Sequence, residues 1–181
     1  KESSQEYLDI HEAAHEIGLP SNCTMLFGTI ETAKQRVEHM IQLRDLGQKT
    51  NGFQCFVPYP FLPDSTRLPM AQLSTGQEIL RVIAVSRIML DSIPHIKAYR
   101  MNIGDSMAEL ALQFGADDID GTVKQESIMH LAGSNTPLDY GAKQLAKLVE
   151  RSGNTPIKRN TIYTEFEEYV PAKEPRRLRM I

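Results

Sequence analysis

Five times along this chain a Ser or Thr is followed three residues later by Glu or Gln, at Ser3/Glu6, Thr32/Gln35, Thr75/Glu78, Ser106/Glu109 and Thr122/Gln125. In such a capping box the two side chains reciprocally satisfy backbone amides that a helix start leaves without partners. Apolar residues at helical spacing follow each box except the one at Thr122, and short apolar runs lie between them. The repetition divides the chain into alternating helices and strands. It constrains the fold more than any other feature, because strands separated by helices pair in parallel through right-handed crossovers.

The pattern predicts a helix over 4–18, with Leu8, Ala14 and Ile17 inward and Gly18 as its stop. A buried strand over 21–28 follows, with Asn22 and Thr24 on one face. A second helix is expected over 32–46, with Val37, Met40, Ile41 and Leu43 on its apolar side. Asn51-Gly52 then breaks the chain before a strand over 53–57, which ends in the proline-rich run 58–63. The third helix, 76–92, is apolar over an arc broad enough for more than one neighbour. A strand over 96–102, a helix over 106–114 and a short strand over 117–121 complete four units. A helix over 139–152 comes next, then a tail in which Thr161-Ile162-Tyr163 forms a short strand and the basic stretch 173–179 is solvated. The expected class is α/β: about four parallel strands with helices, half of a TIM-like (βα) barrel or a small open doubly wound sheet, plus a C-terminal helical extension. Residues 1–134 would form the half-barrel, and 135–181 a helix and tail packing on it.

Composition narrows the function classes. With 181 residues the chain suits one domain, and a net charge of −3 offers no overall attraction to nucleic acid or anionic membrane. No apolar run approaches the ~18 residues of a membrane span, and no early apolar stretch marks a secretory signal. These features fit a cytoplasmic protein acting on small molecules. The chain opens at Lys1 directly into a helical pattern, as a piece of a longer protein would. Cys23 and Cys55 fall in apolar strand-like runs, the pattern of buried free thiols.

His11-Glu12-Ala13-Ala14-His15 is an H-E-x-x-H on a predicted helix, the arrangement of a zinc peptidase. No downstream segment supplies a third ligand at a recognised spacing, and the helix leads straight into a strand. The motif is better read as chance on an amphipathic surface, and no metal ligands are assigned.

Thr24-Met25-Leu26-Phe27-Gly28-Thr29-Ile30-Glu31 resembles the G-x-I-x-G-x-x-E motif on the fifth strand of radical S-adenosylmethionine barrels, with Thr24 for the first glycine and Leu26 for isoleucine. Arg36-Val37-Glu38-His39, Leu43-Arg44-Asp45-Leu46, Gly52-Phe53-Gln54, Pro58-Tyr59-Pro60-Phe61 and Thr66-Arg67-Leu68 are similar to a small group within that family. The group comprises aminodeoxyfutalosine synthase, cyclic dehypoxanthine futalosine synthase and the deazaflavin-forming FO synthase. Pro94-His95-Ile96-Lys97-Ala98-Tyr99 and the run 115–123, which contains Asp117-Asp118-Ile119-Asp120-Gly121, favour the first of these. The resemblance extends to about Tyr163. It departs at Arg100, where tryptophan is expected after Ala-Tyr.

The resemblance implies the C-terminal half of a radical S-adenosylmethionine barrel. The whole enzyme would be a transferase of menaquinone biosynthesis that adds the 5′-deoxyadenosyl group to 3-[(1-carboxyvinyl)oxy]benzoate. Its cofactors would be S-adenosylmethionine and a [4Fe–4S] cluster held by C-x3-C-x2-C. This chain lacks that motif, so alone it should carry no cofactor and be inactive. The resemblance also assigns Thr24, Leu26, Phe27, Gly28 and Glu31 to the wall beside the adenosyl group. A catalytically empty binding module is the alternative from outside enzymology.

Ligands of such barrels meet the C-terminal ends of the strands. Candidates there are Asp118 and Arg100 for catalysis, and Tyr59, Tyr99, Asn102 and Asp120 for substrate. An arginine suits a carboxylate by bidentate pairing. Structural duties compete with each role: Asp117 and Asp120 as helix caps, Tyr99 in packing, Glu31 beside a helix dipole, and Lys97 paired with Asp118. Two unpaired strand edges and an apolar inner layer predict self-association.

Overall fold

A computed structural model describes residues 3–64, 66–68, 70–71 and 73–170. The basic stretch 173–179 lies outside the described residues. Three units of helix and strand come first: α1 (Ser4–Glu16), β1 (Ser21–Phe27), α2 (Ala33–Thr50), β2 (Phe53–Pro60), α3 (Gly76–Met89) and β3 (His95–Ala98). Next are α4 (Arg100–Ile103), α5 (Asp105–Ala111), β4 (Asp118–Ile119), α6 (Ile128–Leu131) and α7 (Ala142–Arg151). A hairpin of β5 (Ile157–Arg159) and β6 (Phe166–Glu168) follows. The main sheet is parallel throughout, in the order β1-β2-β3-β4, as expected for half of an α/β barrel.

Local capping chemistry sets the first three helices. Ser3 and Glu6 form a complete box on α1, and Thr32 and Gln35 on α2; the Thr75 hydroxyl caps α3 through the Glu78 amide. The other two boxes do not form. Helix α5 starts at Gly104, whose φ of 80° and ψ of 165° suit glycine, so Ser106 lies inside the helix. No helix follows Thr122 until Ile128.

Cys23, Met25 and Phe27 on β1 and Phe56, Ile96 and Ala98 on the next strands pack under Met40, Leu43, Ile79, Val82 and Ile83 of the helices. The opposite face of the sheet carries Asn22, Thr24 and Leu26, then Cys55, Val57 and Tyr59, then Lys97, then Asp118, in parallel register. This second face is the inner surface of the half-barrel. Strand β2 runs on to Pro60, beyond the expected end at 57. Its ladder to β3 covers Cys55 and Phe56 alone, so the missing amides of Pro58 and Pro60 interrupt nothing on that side.

Three expectations are corrected. Strand β3 ends at Ala98 rather than 102, and Arg100–Ile103 is a helical turn. Ile17 is 81% exposed, beyond the last helical residue, not inward. Thr161–163 is the turn of the β5–β6 hairpin, with Tyr163 at φ 54°, rather than a strand.

Candidate functional site

The loop leaving β1 is built by Glu31. Its carboxylate accepts the Gly28 amide at 2.6 Å, the Thr29 amide at 2.9 Å and the Thr29 hydroxyl at 2.7 Å. Arg36 Nε closes the ring at 2.6 Å, and the same guanidinium reaches Glu78 on α3 at 2.7 Å. Burial pushes the Glu31 carboxyl up, but the hydrogen bonds from Gly28 and Thr29 outweigh it and hold the group at about 2. Gly28 has φ +87°, and a Cβ there would stand 2.2 Å from Ser74 Oγ. The close approach that requires glycine is therefore made by the chain itself.

Where β1, β2 and β3 end, Leu26, Tyr59, Tyr99, Asn102, Glu126 and Met129 line a pocket of about 440 Å³. Leu26 and Tyr59 are register partners, and the Tyr59 and Tyr99 rings meet edge to face at 5.2 Å. The Tyr99 hydroxyl donates to Glu126 at 3.1 Å. Glu126 also accepts the Ile128 and Met129 amides, which ties α6 over the pocket. Asn102 donates to the Pro60 carbonyl at 3.2 Å, and its Oδ1 is buried without a partner. Burial raises both tyrosines, so they stay protonated donors.

Asp118, Asp120 and Arg100 are committed to protein partners. Arg159 binds Asp118 in two-pronged fashion at 2.7 and 2.8 Å, Tyr163 donates to it at 2.7 Å, and Lys97 pairs with it at 3.2 Å. Burial opposes the Asp118 charge, but Arg159, Lys97 and Tyr163 together keep the carboxyl below its usual range. Asp120 accepts the Arg100 backbone amide, and its other oxygen lies 3.6 Å from Arg100 Nε. Its burial raises the carboxyl despite that neighbour. The Arg100 guanidinium is fully buried; it pairs with Asp105 at 3.0 Å, donates to the Pro137 carbonyl at 3.1 Å and lies 4.5 Å over the Tyr140 ring.

Thus Leu26, Tyr59, Tyr99 and Asn102 come together at one pocket, with Thr24 one step down the same face. Phe27 points to the opposite face, fully buried beneath Arg36. Glu31 braces its own loop, and Asp118, Asp120 and Arg100 form a charge ladder beside the pocket. Asp117 and Asp120 bond the backbone amides of Ile96 and Arg100 rather than capping a following helix. Sequence reasoning missed Glu126, Arg159 and Tyr163. Of these only Glu126 stands near a local signal, being placed just before a short helix.

His11 and His15 share the Ser21 hydroxyl at 2.8 Å each, and His15 also reaches Thr50 at 2.7 Å. Both imidazoles pack edge-on against Phe53. Glu12 pairs with Lys49. The H-E-x-x-H side chains are thereby spent on fastening α1. Nor does the chain fit an iron–sulfur cluster. Cys23 and Cys55 are buried free thiols, burial pushes both up, Cys55 to about 11, and no group of three ligating side chains exists among the described residues.

Residues 50–172 match the family described as the CofH/MqnC C-terminal region. The chain is 41% identical to aminodeoxyfutalosine synthase of Thermus thermophilus over 91% of its length, covering 45% of that protein. It is 34% identical to cyclic dehypoxanthine futalosine synthase of Streptomyces coelicolor, over 97% of this chain and 44% of the relative. A third relative, 5-amino-6-(D-ribitylamino)uracil–L-tyrosine 4-hydroxyphenyl transferase of Methanothermobacter thermautotrophicus, is 36% identical over 93% of this chain and 47% of its own length. The chain therefore spans about half the length of the curated relatives it matches. Among solved structures, methylornithine synthase (PylB) superposes with a TM-score of 0.64 at 18% identity, over 87% of this chain and 46% of that one, which shows the shared fold.

Proposed function

The chain belongs to the CofH/MqnC C-terminal region family, and from that premise we propose that it is the C-terminal half of a radical S-adenosylmethionine enzyme of the aminodeoxyfutalosine synthase type. One observation carries this reading: the strand-end pocket under Leu26, Tyr59 and Tyr99 sits where a half-barrel meets its ligand, directly beside the Gly28–Glu31 loop. The adenosyl group of S-adenosylmethionine lies along Thr24, Leu26 and Gly28, with Glu31 and Phe27 stiffening the loop from behind. Tyr59, Tyr99 and Asn102 contact substrate. Asp118, Asp120 and Arg100 fix the ends of β3 and β4 on which those contacts stand. The cluster belongs to the part of the protein outside this chain, because no cysteine here is suited to it. When bound there, it supplies the electron that releases the adenosyl radical.

The protein acts in the cytoplasm on a small aryl enol ether, the chain alone is inactive, and it self-associates. Residues 1–134 make the half-barrel, and 135–181 pack on it. The test is an anaerobic assay with S-adenosylmethionine and 3-[(1-carboxyvinyl)oxy]benzoate on the protein that carries both halves. Aminodeoxyfutalosine should form, and Tyr99→Ala should raise KM more than it lowers kcat. Turnover of dehypoxanthine futalosine instead would replace this reading with the cyclic dehypoxanthine futalosine synthase one.

A further inference from the structure

The pocket between Tyr59 and Tyr99 is electrostatically one-sided. Among the described residues that line it, Glu126 carries a full charge and there is no lysine, arginine or histidine. Of its three donor side chains, Tyr99 and Asn102 are already spent, and the Tyr59 hydroxyl, a neutral donor, is the one left to a ligand. The Tyr99 hydroxyl is turned toward Glu126, and the Asn102 amide hydrogens are turned toward the Pro60 carbonyl. Reversing the Asn102 amide would set one acceptor against another, so its unpartnered Oδ1 is held in place. Glu126 itself stays ionised: the Met129 amide, the Tyr99 hydroxyl and the Ile128 amide hold its carboxyl below the usual range. The nearest cation on the same sheet face, Lys97, is paired with Asp118 at 3.2 Å. Asp120 adds negative potential at both tyrosines, and His130 Nε2 on α6 donates to the Thr136 carbonyl, outside the pocket lining. The walls otherwise are Leu26, aromatic rings and Met129, which suit a flat apolar ring.

We propose that Glu126 is a specificity-determining residue that lets a planar ring seat in this pocket by its uncharged part and keeps any carboxylate on that ring outside it. The inference rests on the reading above, which places ligand in this pocket, and adds its charge preference. An anion entering here would lose its hydration and meet a fixed carboxylate with no compensating cation. The carboxylate of an aryl acid must therefore point out of the pocket, and the ring seated between Tyr59 and Tyr99 must be neutral.

Two probes that differ only in charge test this: 3-hydroxybenzoate and its methyl ester, titrated into this chain at low salt while the Tyr59 and Tyr99 ring resonances are followed by NMR. The ester should bind roughly fivefold or more tightly than the acid, as expected for one fixed charge at partly solvated range. Glu126→Gln keeps an acceptor for the Tyr99 hydroxyl and the α6 amides, so the pocket should survive. In that variant the two probes should agree within about twofold, and salt at about 0.5 M should narrow the wild-type gap. Equal affinities in the wild type, a gap unchanged in Glu126→Gln, or no response of either tyrosine to either probe would overturn the proposal. The enzyme assay fails or succeeds separately: a different product overturns the proposed reaction while leaving the charge preference standing.

Discussion

Asp118→Asn should destabilise the chain by about 3 kcal/mol, and it would do so with no catalytic role for Asp118 at all. The side chain is 10% exposed, and its partners Lys97 and Arg159 are 14% and 20% exposed. Removing one partner of a fully buried ion pair costs about 3–5 kcal/mol. Partial exposure places this site at the low end of that range. Asparagine also turns an amide toward groups that all donate: two Arg159 nitrogens, the Tyr163 hydroxyl and the Lys97 ammonium. Two cations would then share a half-buried site without an anion. Adding Arg159→Met removes one of them, so the double variant should be less damaged than the sum of the singles, with about 1–2 kcal/mol of coupling. Urea unfolding followed by far-ultraviolet circular dichroism measures all four corners of the cycle. A shift below about 0.5 kcal/mol for Asp118→Asn, the range of an ordinary surface change, would refute the argument that this cluster fastens the hairpin to the sheet.

Gly28→Ala should cost about 1–2 kcal/mol from its left-handed φ of +87° alone, plus the displacement of Ser74. In chemical denaturation, Ser74→Ala in the same background should recover the steric part and leave the backbone part. His11 and His15 are both held below 6.5 by burial, with the neighbouring imidazole adding to the effect at His11 and Glu12 opposing it at His15. Groups depressed in the folded state contribute stability that is whole above pH 6.5 and is lost on acidification through the folded values. Midpoints measured across that window should fall for the wild type and flatten in His11→Gln/His15→Gln. Tyr7→Phe removes the acceptor of the Thr24 amide, now at 3.0 Å, so hydrogen exchange at Thr24 should accelerate at least about tenfold while Met25 is unchanged.

How much was legible depended on how local each cause is. Ser3, Thr32 and Thr75 cap helices within three residues of themselves, and the alternation along β1 was readable from its own side chains. Strand β3 was overextended because its end is decided elsewhere. Tyr99 takes φ −76° and ψ 90°, and the turn that follows is secured by the Asp120 carboxylate accepting the Arg100 amide from 20 residues away. Tyr59 and Tyr99 were placed at strand ends and Leu26 by the resemblance, but their meeting at one pocket depends on β2 running on to Pro60 in register with β1, which the proline-rich run concealed. The charge partners of Asp118 were out of reach as well: Arg159 and Tyr163 lie 41 and 45 residues further on, in a hairpin that no pattern announced. Arg100 illustrates the same limit, since an arginine at a strand end suits an anionic ligand and a half-buried Asp105 equally well until the loop at Pro137 is placed.

The open edges of a half-barrel invite strand pairing, yet here both are blunted from within. Backbone groups of Phe27 and Ser21 face β2, through the Phe61 amide and the Gly52 carbonyl, so those of Thr24 face the open side of β1. There the Thr24 amide donates to the Tyr7 hydroxyl, and its carbonyl takes His39 Nε2 at 2.9 Å. At the other edge β4 is two residues long, and its Asp118 is gripped by the hairpin. Apolar surface remains uncovered at the strand ends instead. Leu26 is 58% exposed, Ile30 74%, Leu73 64%, Ile128 71% and Leu131 79%. Leu26 and Ile128 line the pocket, and Ile30, Leu73 and Leu131 lie on the segments that follow β1, β2 and β4. If burial of apolar area drives self-association, at roughly 25 cal/mol per Å², the contact forms across the pocket mouth rather than along an edge. Association and ligand entry then draw on one surface and oppose each other. A ligand that seats between Tyr59 and Tyr99 would dissociate the dimer by mass action, whereas edge pairing would leave the two equilibria independent.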